Sequence, residues 1–272
     1  MSKFRTTEIS DPRFEANNLR HITVKSKNLQ GRGDITVYIP SGAEHKDLPI
    51  TILLHGVYGS HWIWSQKTGI HLKMQEWITK DEIAPMIIAM PSDGLWGDGS
   101  AYVPHTTQDF EKWITEDVIN AVIELIPQAS ENSKICIAGL SMGGFGALRI
   151  GSKHNDLFSA VSGLSSITVL DEMKLFVEEK RSLYDQDNTE NESVYDTILK
   201  NKENIPPFRF DCGVDDELIE GNRKLHQQLE KLNIKHIYKE NPGKHEWVYW
   251  ETHIKETLLF FNDVLNSKGI IV

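Results

Sequence analysis

Two hydrophobic rhythms divide the chain. His21-Ile-Thr-Val-Lys25 and Asp34-Ile-Thr-Val-Tyr-Ile39 alternate apolar and polar positions with a period of two and flank Gly31-Arg-Gly33, which predicts an antiparallel hairpin. Beyond it the runs become continuous: Pro49-Ile-Thr-Ile-Leu-Leu54, Pro85-Met-Ile-Ile-Ala-Met90, Lys134-Ile-Cys-Ile-Ala138, Phe158-Ser-Ala-Val161 and Pro207-Phe-Arg-Phe210. Runs of that kind suit strands buried on both faces of a parallel sheet. Between them the period lengthens to that of a helix. From Asp109 to Ile126, Phe110, Trp113, Ile114, Val118, Ile119, Val122 and Leu125 share one stripe, with Thr107 as the expected N-cap. Glu217 to Leu232 and Glu246 to Leu265 repeat the pattern. Strand and helix in alternation predict an α/β fold with a mostly parallel central sheet, the hairpin at its N-terminal end and helices on both faces. From about Ser165 to Pro206 the rhythm breaks into a polar, acidic stretch with two weak helical patterns. At roughly forty residues it exceeds an ordinary connection and reads as a lid-like insertion in a single domain spanning 1–272.

Composition narrows the function classes. With 272 residues, 39% apolar and 25% charged, the chain is too apolar for disorder and long enough to close a core without metals or disulfides. Lys and Arg number 29 against 39 acids, and the formal charge of −10 argues against nucleic acid or an anionic membrane as partner. No run of about 18 apolar residues occurs, so no membrane span is expected. The two cysteines, Cys136 and Cys212, fall in strand-like segments and read as reduced, buried thiols. The N-terminal residues lack the apolar stretch of a secretory signal, so the expected location is cytoplasmic. Symmetric dimers are common enough that a homo-oligomer is expected on that ground alone.

The chemistry centres on Gly139-Leu-Ser-Met-Gly143, a G-x-S-x-G segment between a buried strand and the helix opened by Gly144-Phe-Gly-Ala-Leu-Arg-Ile150. A serine on such a turn needs small neighbours, because its backbone is strained and its hydroxyl must project above the sheet. The helix start directs N–H groups toward developing negative charge, with the Met142 amide as one oxyanion donor. A glycine-rich turn with an incidental serine is the bland alternative. Ser141 needs a base and an acid that orients the base. In the order serine, acid, histidine, the loop after Phe208-Arg-Phe-Asp-Cys-Gly213 offers Asp215 and Asp216, and the loop Asn241-Pro-Gly-Lys-His245 offers His245. One of the two aspartates is expected to orient the imidazole and the other to cap the following helix. His236 sits in a strand, and His154, His226 and His253 on helices; His61, His71 and His105 lie near the entrance segments. The second oxyanion donor is expected from Leu53-Leu-His-Gly-Val57, where the glycine lets the Val57 amide turn toward Ser141.

Together, Leu53-Leu-His-Gly-Val-Tyr-Gly59, Gly139-Leu-Ser-Met-Gly-Gly-Phe-Gly-Ala147, Cys212-Gly-Val-Asp-Asp-Glu-Leu218 with Asn222-Arg223, and Pro242-Gly-Lys-His-Glu-Trp247 with Tyr249-Trp250 resemble the α/β-hydrolase esterase family that includes esterase D, feruloyl and acetyl carbohydrate esterases, tributyrin-type esterases and the mycolyltransferases. The resemblance runs from the first hairpin to the last helix. It implies an α/β-hydrolase fold, Ser141 as nucleophile, His245 as base, and Asp216 rather than Asp215 as the acid. The glycine-leucine form of the elbow is closer to the feruloyl and tributyrin branch than to esterase D. The implied reaction is acyl transfer through a serine ester, the oxyanion received by the amides of Val57 and Met142.

The expected substrate is a small-molecule or sugar ester with a short acyl or aryl group, and no cofactor or metal is called for. A thioesterase of the S-formylglutathione type and an acyltransferase are the alternatives within the same chemistry, and a non-catalytic binding protein is the alternative outside it. His245-Glu246 lacks the second histidine of a zinc protease, position 249 being Tyr. Tyr58, Trp62, Trp64, Trp96 and Trp247 are expected at the pocket edge, where packing and a platform for an aromatic acyl group or sugar ring are equal readings.

Overall fold

The computed structural model describes residues 2–42 and 45–266. Nine strands form one sheet in the order β1-β2-β3-β5-β4-β6-β7-β8-β9. The expected hairpin is β2 (Leu19–Ser26) with β3 (Gly31–Tyr38), paired antiparallel. A three-residue strand, β1 (Thr7–Ile9), extends it on the outside; three residues are too few to carry a period, so the pattern did not announce it. β3 runs antiparallel to β5 (Ile87–Pro91), which is parallel to β4 (Ile50–Leu54). From there β6 (Ile135–Leu140), β7 (Ala160–Leu164), β8 (Phe208–Gly213) and β9 (Ile237–Asn241) continue in parallel.

The continuous apolar runs are strands covered on both sides. On β4, Ile50, Ile52 and Leu54 point into one core and Leu53 into the other; on β6, Ile135 and Ile137 oppose Cys136, Ala138 and Leu140 in the same way. One core is closed by α3 (Phe110–Lys112), α4 (Ile119–Leu125), α5 (Met142–Lys153), α6 (Val194–Asn201) and α7 (Ile219–Lys231). The other is closed by α1 (Ile63–Thr68), α2 (Ile70–Thr79) and α8 (Trp247–Asn266). No helix among the described residues is long and apolar enough to cross a membrane.

The helix expected from Asp109 is capped by Asp109 itself, whose carboxylate accepts the Lys112 N–H at 2.9 Å, and not by Thr107. The cap must stand three residues before the N–H it satisfies, which places Thr107 too far upstream. The turns Trp113–Val118 between α3 and α4 are π-helical, so the stripe is kept through a widened turn. Between β7 and β8 the chain makes short 3₁₀ turns and α6, and an isolated bridge from Val169 to Ser193 closes this excursion on itself.

Arg149, fully buried on α5, pairs with the Glu111 carboxylate and donates to the Tyr102 carbonyl at 2.6 Å. Burial alone would raise the Glu111 carboxyl, but Arg149, His154 and Lys153 outweigh it and hold it well below its ordinary value. The folded pKa is therefore depressed, so this group's stabilisation is present above about pH 4.5 and fades as pH falls below it. Replacing Arg149 by Met strands a buried carboxylate and is expected to cost about 3 kcal/mol near neutral pH. In urea unfolding series the gap between wild type and Arg149→Met should narrow toward about pH 3; a gap independent of pH would assign the loss to packing instead. Both cysteines are free and buried. Burial pushes the Cys136 thiol up to about 12, and burial followed by the Asp216 and Asp211 carboxylates raises Cys212. Neither thiol should react with a disulfide reagent at about pH 8 until denaturant is added; titration of the native protein measures this directly.

Candidate active site

The strand order reverses direction about β4: β5 is added on one side of it and β6 on the other. In open α/β sheets such a switch point leaves a crevice beyond the carboxyl ends of the two diverging strands. Here β4 leads into His55-Gly56-Val57 and β6 into Ser141.

Ser141 stands between β6 and α5 with φ 53° and ψ −120°, a left-handed region that costs a non-glycine residue about 1–3 kcal/mol. The surroundings enforce it. Ser141 N–H donates to Leu164 O at 3.0 Å, while Ser141 O accepts from Phe145 N–H at 3.1 Å and Ile167 N–H at 3.2 Å. The turn is also too tight for side chains on either flank. A Cβ on Gly139 would collide with the Gly143 carbonyl, and one on Gly143 would lie 2.5 Å from Leu54 O and 2.6 Å from His55 O.

His245 arrives on the loop after β9 and Asp216 on the loop after β8. The imidazole Nδ1 lies 2.9 Å from Asp216 Oδ2 and 3.1 Å from Oδ1, and Nε2 lies 2.9 Å from Ser141 Oγ. A carboxylate can only accept, so Nδ1 carries the proton and Nε2 is left to accept from the serine hydroxyl. Asp216 is buried; its Oδ1 also accepts the Leu218 N–H at 2.9 Å, so one aspartate both orients the histidine and caps the next turn. Asp215 is exposed. Phe176 stacks on the imidazole at 5.0 Å and 25°, and Trp250 meets it edge-on at 5.0 Å and 89°. As the first residue of α5, Met142 has an N–H with no acceptor inside the helix, and Val57 makes no hydrogen bond through its N–H among the described residues. The arrangement can move a proton from the hydroxyl to the imidazole, and it leaves the N–H groups of Val57 and Met142 without an acceptor in the protein among the described residues.

Around Ser141 lies a cleft of about 390 Å³ lined by Gly56, Val57, Tyr58, Leu140, Leu175, Phe176, His245, Trp247 and Trp250. Apart from His245 and Tyr58 this wall carries no ionisable side chain. The rim differs: desolvation and the carboxylates of Asp98, Glu178 and Glu179 raise the Tyr58 phenol above its ordinary value. Among the described residues, no group of three or more His, Cys, Asp or Glu side chains is placed to hold a metal ion.

The structure places Ser141, His245, Val57, Tyr58 and Trp247 in the cleft wall, with Asp216 buried behind His245 and Met142 directly after Ser141, and sends three expected pocket aromatics elsewhere. Trp64 is buried in the core, its indole N–H donating to Leu54 O at 3.0 Å, and backs Trp247 edge-on at 6.4 Å. Trp62 precedes α1 with its side chain outside the cleft wall. Trp96 packs against His105 at 4.2 Å and Tyr184 at 5.5 Å, anchoring the excursion. His61, His71 and His105 also lie off the cleft: His61 bonds Thr36 Oγ1 at 2.8 Å, His105 approaches Ser100 O at 3.1 Å, and His71 lines a separate cavity beside α1 and α2. His236 lies just before β9. Leu175, Phe176 and Trp250 are cleft residues that the site reading missed. Trp250 could have been found from Trp247, one helical turn before it on the same face. Phe176 gives no local signal, since an aromatic outside any period in a polar excursion is silent about where it folds.

Residues 26–261 match the family described as Putative esterase. An acetyl esterase from Caldicellulosiruptor saccharolyticus is 25% identical over 239 residues, 81% of this chain and 86% of that protein. A ferulic acid esterase structure superposes with a TM-score of 0.77 at 23% identity, covering 95% of this chain and 99% of that one. An S-formylglutathione hydrolase from Staphylococcus aureus superposes with a TM-score of 0.74 at 19% identity, over 93% and 98% of the two chains. These structural likenesses establish the shared α/β-hydrolase fold, and the family match covers most of the sequence. The chain belongs to this esterase family and is a serine ester hydrolase.

Proposed function

We propose that Ser141 attacks the carbonyl of a short acyl or aryl ester while His245 takes its proton, with Asp216 holding the imidazole and the Val57 and Met142 amides receiving the oxyanion. The observation that carries this is the continuous contact Asp216–His245–Ser141, both links at 2.9 Å, at the switch point of the sheet. Collapse of the tetrahedral intermediate expels the alcohol, which takes the proton from His245. Water then attacks the serine ester by the same route and releases the acid. The excursion between β7 and β8 belongs to the same domain in this reading: Leu175 and Phe176 wall the cleft from it.

The apolar, aromatic lining supports a neutral acyl or aryl group in the cleft, consistent with feruloyl-type and acetyl-type esters, including those of sugars. The acidic rim weighs against the glutathione thioester, whose peptide carries two carboxylates past Asp98, Glu178 and Glu179. A panel of p-nitrophenyl acetate, p-nitrophenyl butyrate, methyl ferulate and S-formylglutathione should show kcat/KM at least about tenfold higher for the neutral esters, roughly the 1.4 kcal/mol of one unfavourable charge contact. The reverse order would replace the ester reading by the thioesterase one.

Ser141→Ala should retain the wild-type melting temperature and lose turnover by about 10⁴ or more, because the group that forms the covalent intermediate is gone. A fluorophosphonate probe should label the wild type at Ser141 and leave the variant unlabelled. Turnover unchanged in Ser141→Ala, or wild-type protein inert to both probe and esters, would remove the nucleophile assignment and leave a binding protein.

A further inference from the structure

The Val57 amide can serve an oxyanion only if its peptide plane faces the serine, and the residue that controls the plane is two positions upstream. His55 is buried, and both of its ring nitrogens are hydrogen-bonded to backbone. Its Nδ1 lies 2.7 Å from the carbonyl oxygen of Gly56, and its Nε2 lies 3.1 Å from the Asp93 N–H. An N–H can only donate, so Nε2 is the acceptor and Nδ1 carries the proton. Burial lowers the imidazole pKa despite the nearby Asp93 carboxylate and the Gly56 carbonyl, which favours the neutral ring this pattern needs.

The partners are themselves fixed. Asp93 accepts the Ser100 N–H at 2.7 Å and the Leu95 N–H at 2.9 Å. The backbone of His55 is held at both ends by one hydroxyl: its N–H donates to Tyr102 Oη, and Tyr102 donates to His55 O, each at 3.1 Å. The Gly56 carbonyl accepts a second bond, from Gly59 N–H at 3.1 Å, and a Cβ on Gly59 would collide with the imidazole. No cis peptide occurs among the described residues, so the Gly56 C=O and the Val57 N–H lie in one plane and point in opposite directions within it. With the carbonyl drawn inward by His55 and Gly59, the N–H faces outward to the cleft. Gly56 stands against Ser141 there, an added Cβ lying 3.2 Å from Ser141 Cβ. A flipped peptide would aim a carbonyl at the developing oxyanion and leave the buried Nδ1–H without a partner.

We propose that His55 is a positioning residue for ester hydrolysis, its Nδ1–H presetting the Gly56–Val57 peptide so that the Val57 N–H faces the oxyanion. This rests on the reading of Ser141 as nucleophile. His55 is buried outside the cleft wall, and its effect is carried by one peptide plane.

The test compares two variants in the intact protein. His55→Leu removes the donor while keeping most of the volume. His55→Asn places an amide N–H close to where Nδ1–H stood and gives up the contact with Asp93. His55→Leu should lower kcat by about 10²–10³, the loss typical of one oxyanion donor, with KM for p-nitrophenyl butyrate within about threefold of wild type. A trifluoromethyl ketone, which forms a serine-bound oxyanion, should weaken in parallel with kcat/KM. His55→Asn should recover at least about tenfold of the lost kcat, although it too loses packing. Turnover of His55→Leu within about threefold of wild type overturns the proposal, and so does a His55→Asn protein as impaired as His55→Leu while both are folded by circular dichroism. If His55→Leu does not fold, His55→Asn alone decides: kcat within about tenfold of wild type supports positioning, and a loss of 10² or more with melting temperature unchanged overturns it. Ser141→Ala separates the two levels. An inactive Ser141→Ala beside an active His55→Leu refutes only the role of His55, whereas an active Ser141→Ala refutes the underlying reading.

Discussion

The site depends on one close approach, that of the loop leaving β4 to the first turn of α5. Gly143 stands where a Cβ would strike the carbonyls of Leu54 and His55, and Gly139 where a Cβ would strike Gly143. Backbone meets backbone with no side chain between, and this brings the Val57 amide and the start of α5 to the same serine. Ser141 is left with a φ of 53° that the local chain does not favour. A hydrogen bond to the Leu164 carbonyl and two from the Phe145 and Ile167 N–H groups keep it there. The strain is thus supported from β7, from α5 and from the start of the excursion, elements that only the assembled sheet brings together.

The excursion between β7 and β8 is tied into the same region by polar contacts to a single loop. Glu178 N–H donates to Asp98 Oδ2 at 2.8 Å, Asp98 N–H donates to Glu179 Oε1 at 2.9 Å, and Tyr184 donates to the Gly99 carbonyl at 2.9 Å. Asp98 in turn accepts the Tyr58 N–H through its carbonyl at 3.2 Å. The loop that neighbours Val57 and Tyr58 therefore also fixes the stretch of chain carrying Phe176. Since Phe176 stacks on His245, the imidazole is held by Asp216 through hydrogen bonds, and by Phe176 and Trp250 through its two apolar surroundings. An apolar cover of this kind strengthens the bond between imidazole and carboxylate by keeping water from competing for it.

What the sequence disclosed follows the range of the interactions. The elbow was legible because its constraint is local: glycines at 139 and 143 can be read directly as missing side chains. His245 and the pair Asp215 and Asp216 were legible because chain order and strand ends limit which loops reach the same edge of a parallel sheet; the choice of Asp216 over Asp215 came from the family resemblance alone. The aromatics were less so. Trp64 and Trp247 occur in similar contexts, yet one indole finds the Leu54 carbonyl in the core while the other faces the cleft, a difference decided by tertiary packing. Phe176 lay in a segment without a period, and β1 was too short to have one. His55 was visible as half of a His-Gly pair; its role in orienting the next peptide emerges only when Asp93, far along the chain, supplies the N–H that fixes the tautomer.

Two buried carboxylates close to one another on the β8 edge show how the fold keeps the histidine's partner distinct. Asp211 and Asp216 are both almost fully excluded from solvent. Burial raises Asp211, and the opposing influences are Arg209, its neighbour on the same strand at 3.0 Å, and Tyr249, which donates to Oδ1 at 2.8 Å. Asp211 is thus occupied inside the protein. Tyr249 also accepts from Asn241 at 3.3 Å and packs its ring against Gly243, where a Cβ would lie 2.7 Å from Tyr249 Cδ2. That glycine begins the last turn before His245. Asp211 therefore acts on the site at one remove, fixing through Tyr249 the loop from which the imidazole extends. Asp216, on the following loop, is left free to face it. The two aspartates differ by environment: one carboxylate is bound up in holding the loop, and the other faces the imidazole at 2.9 Å.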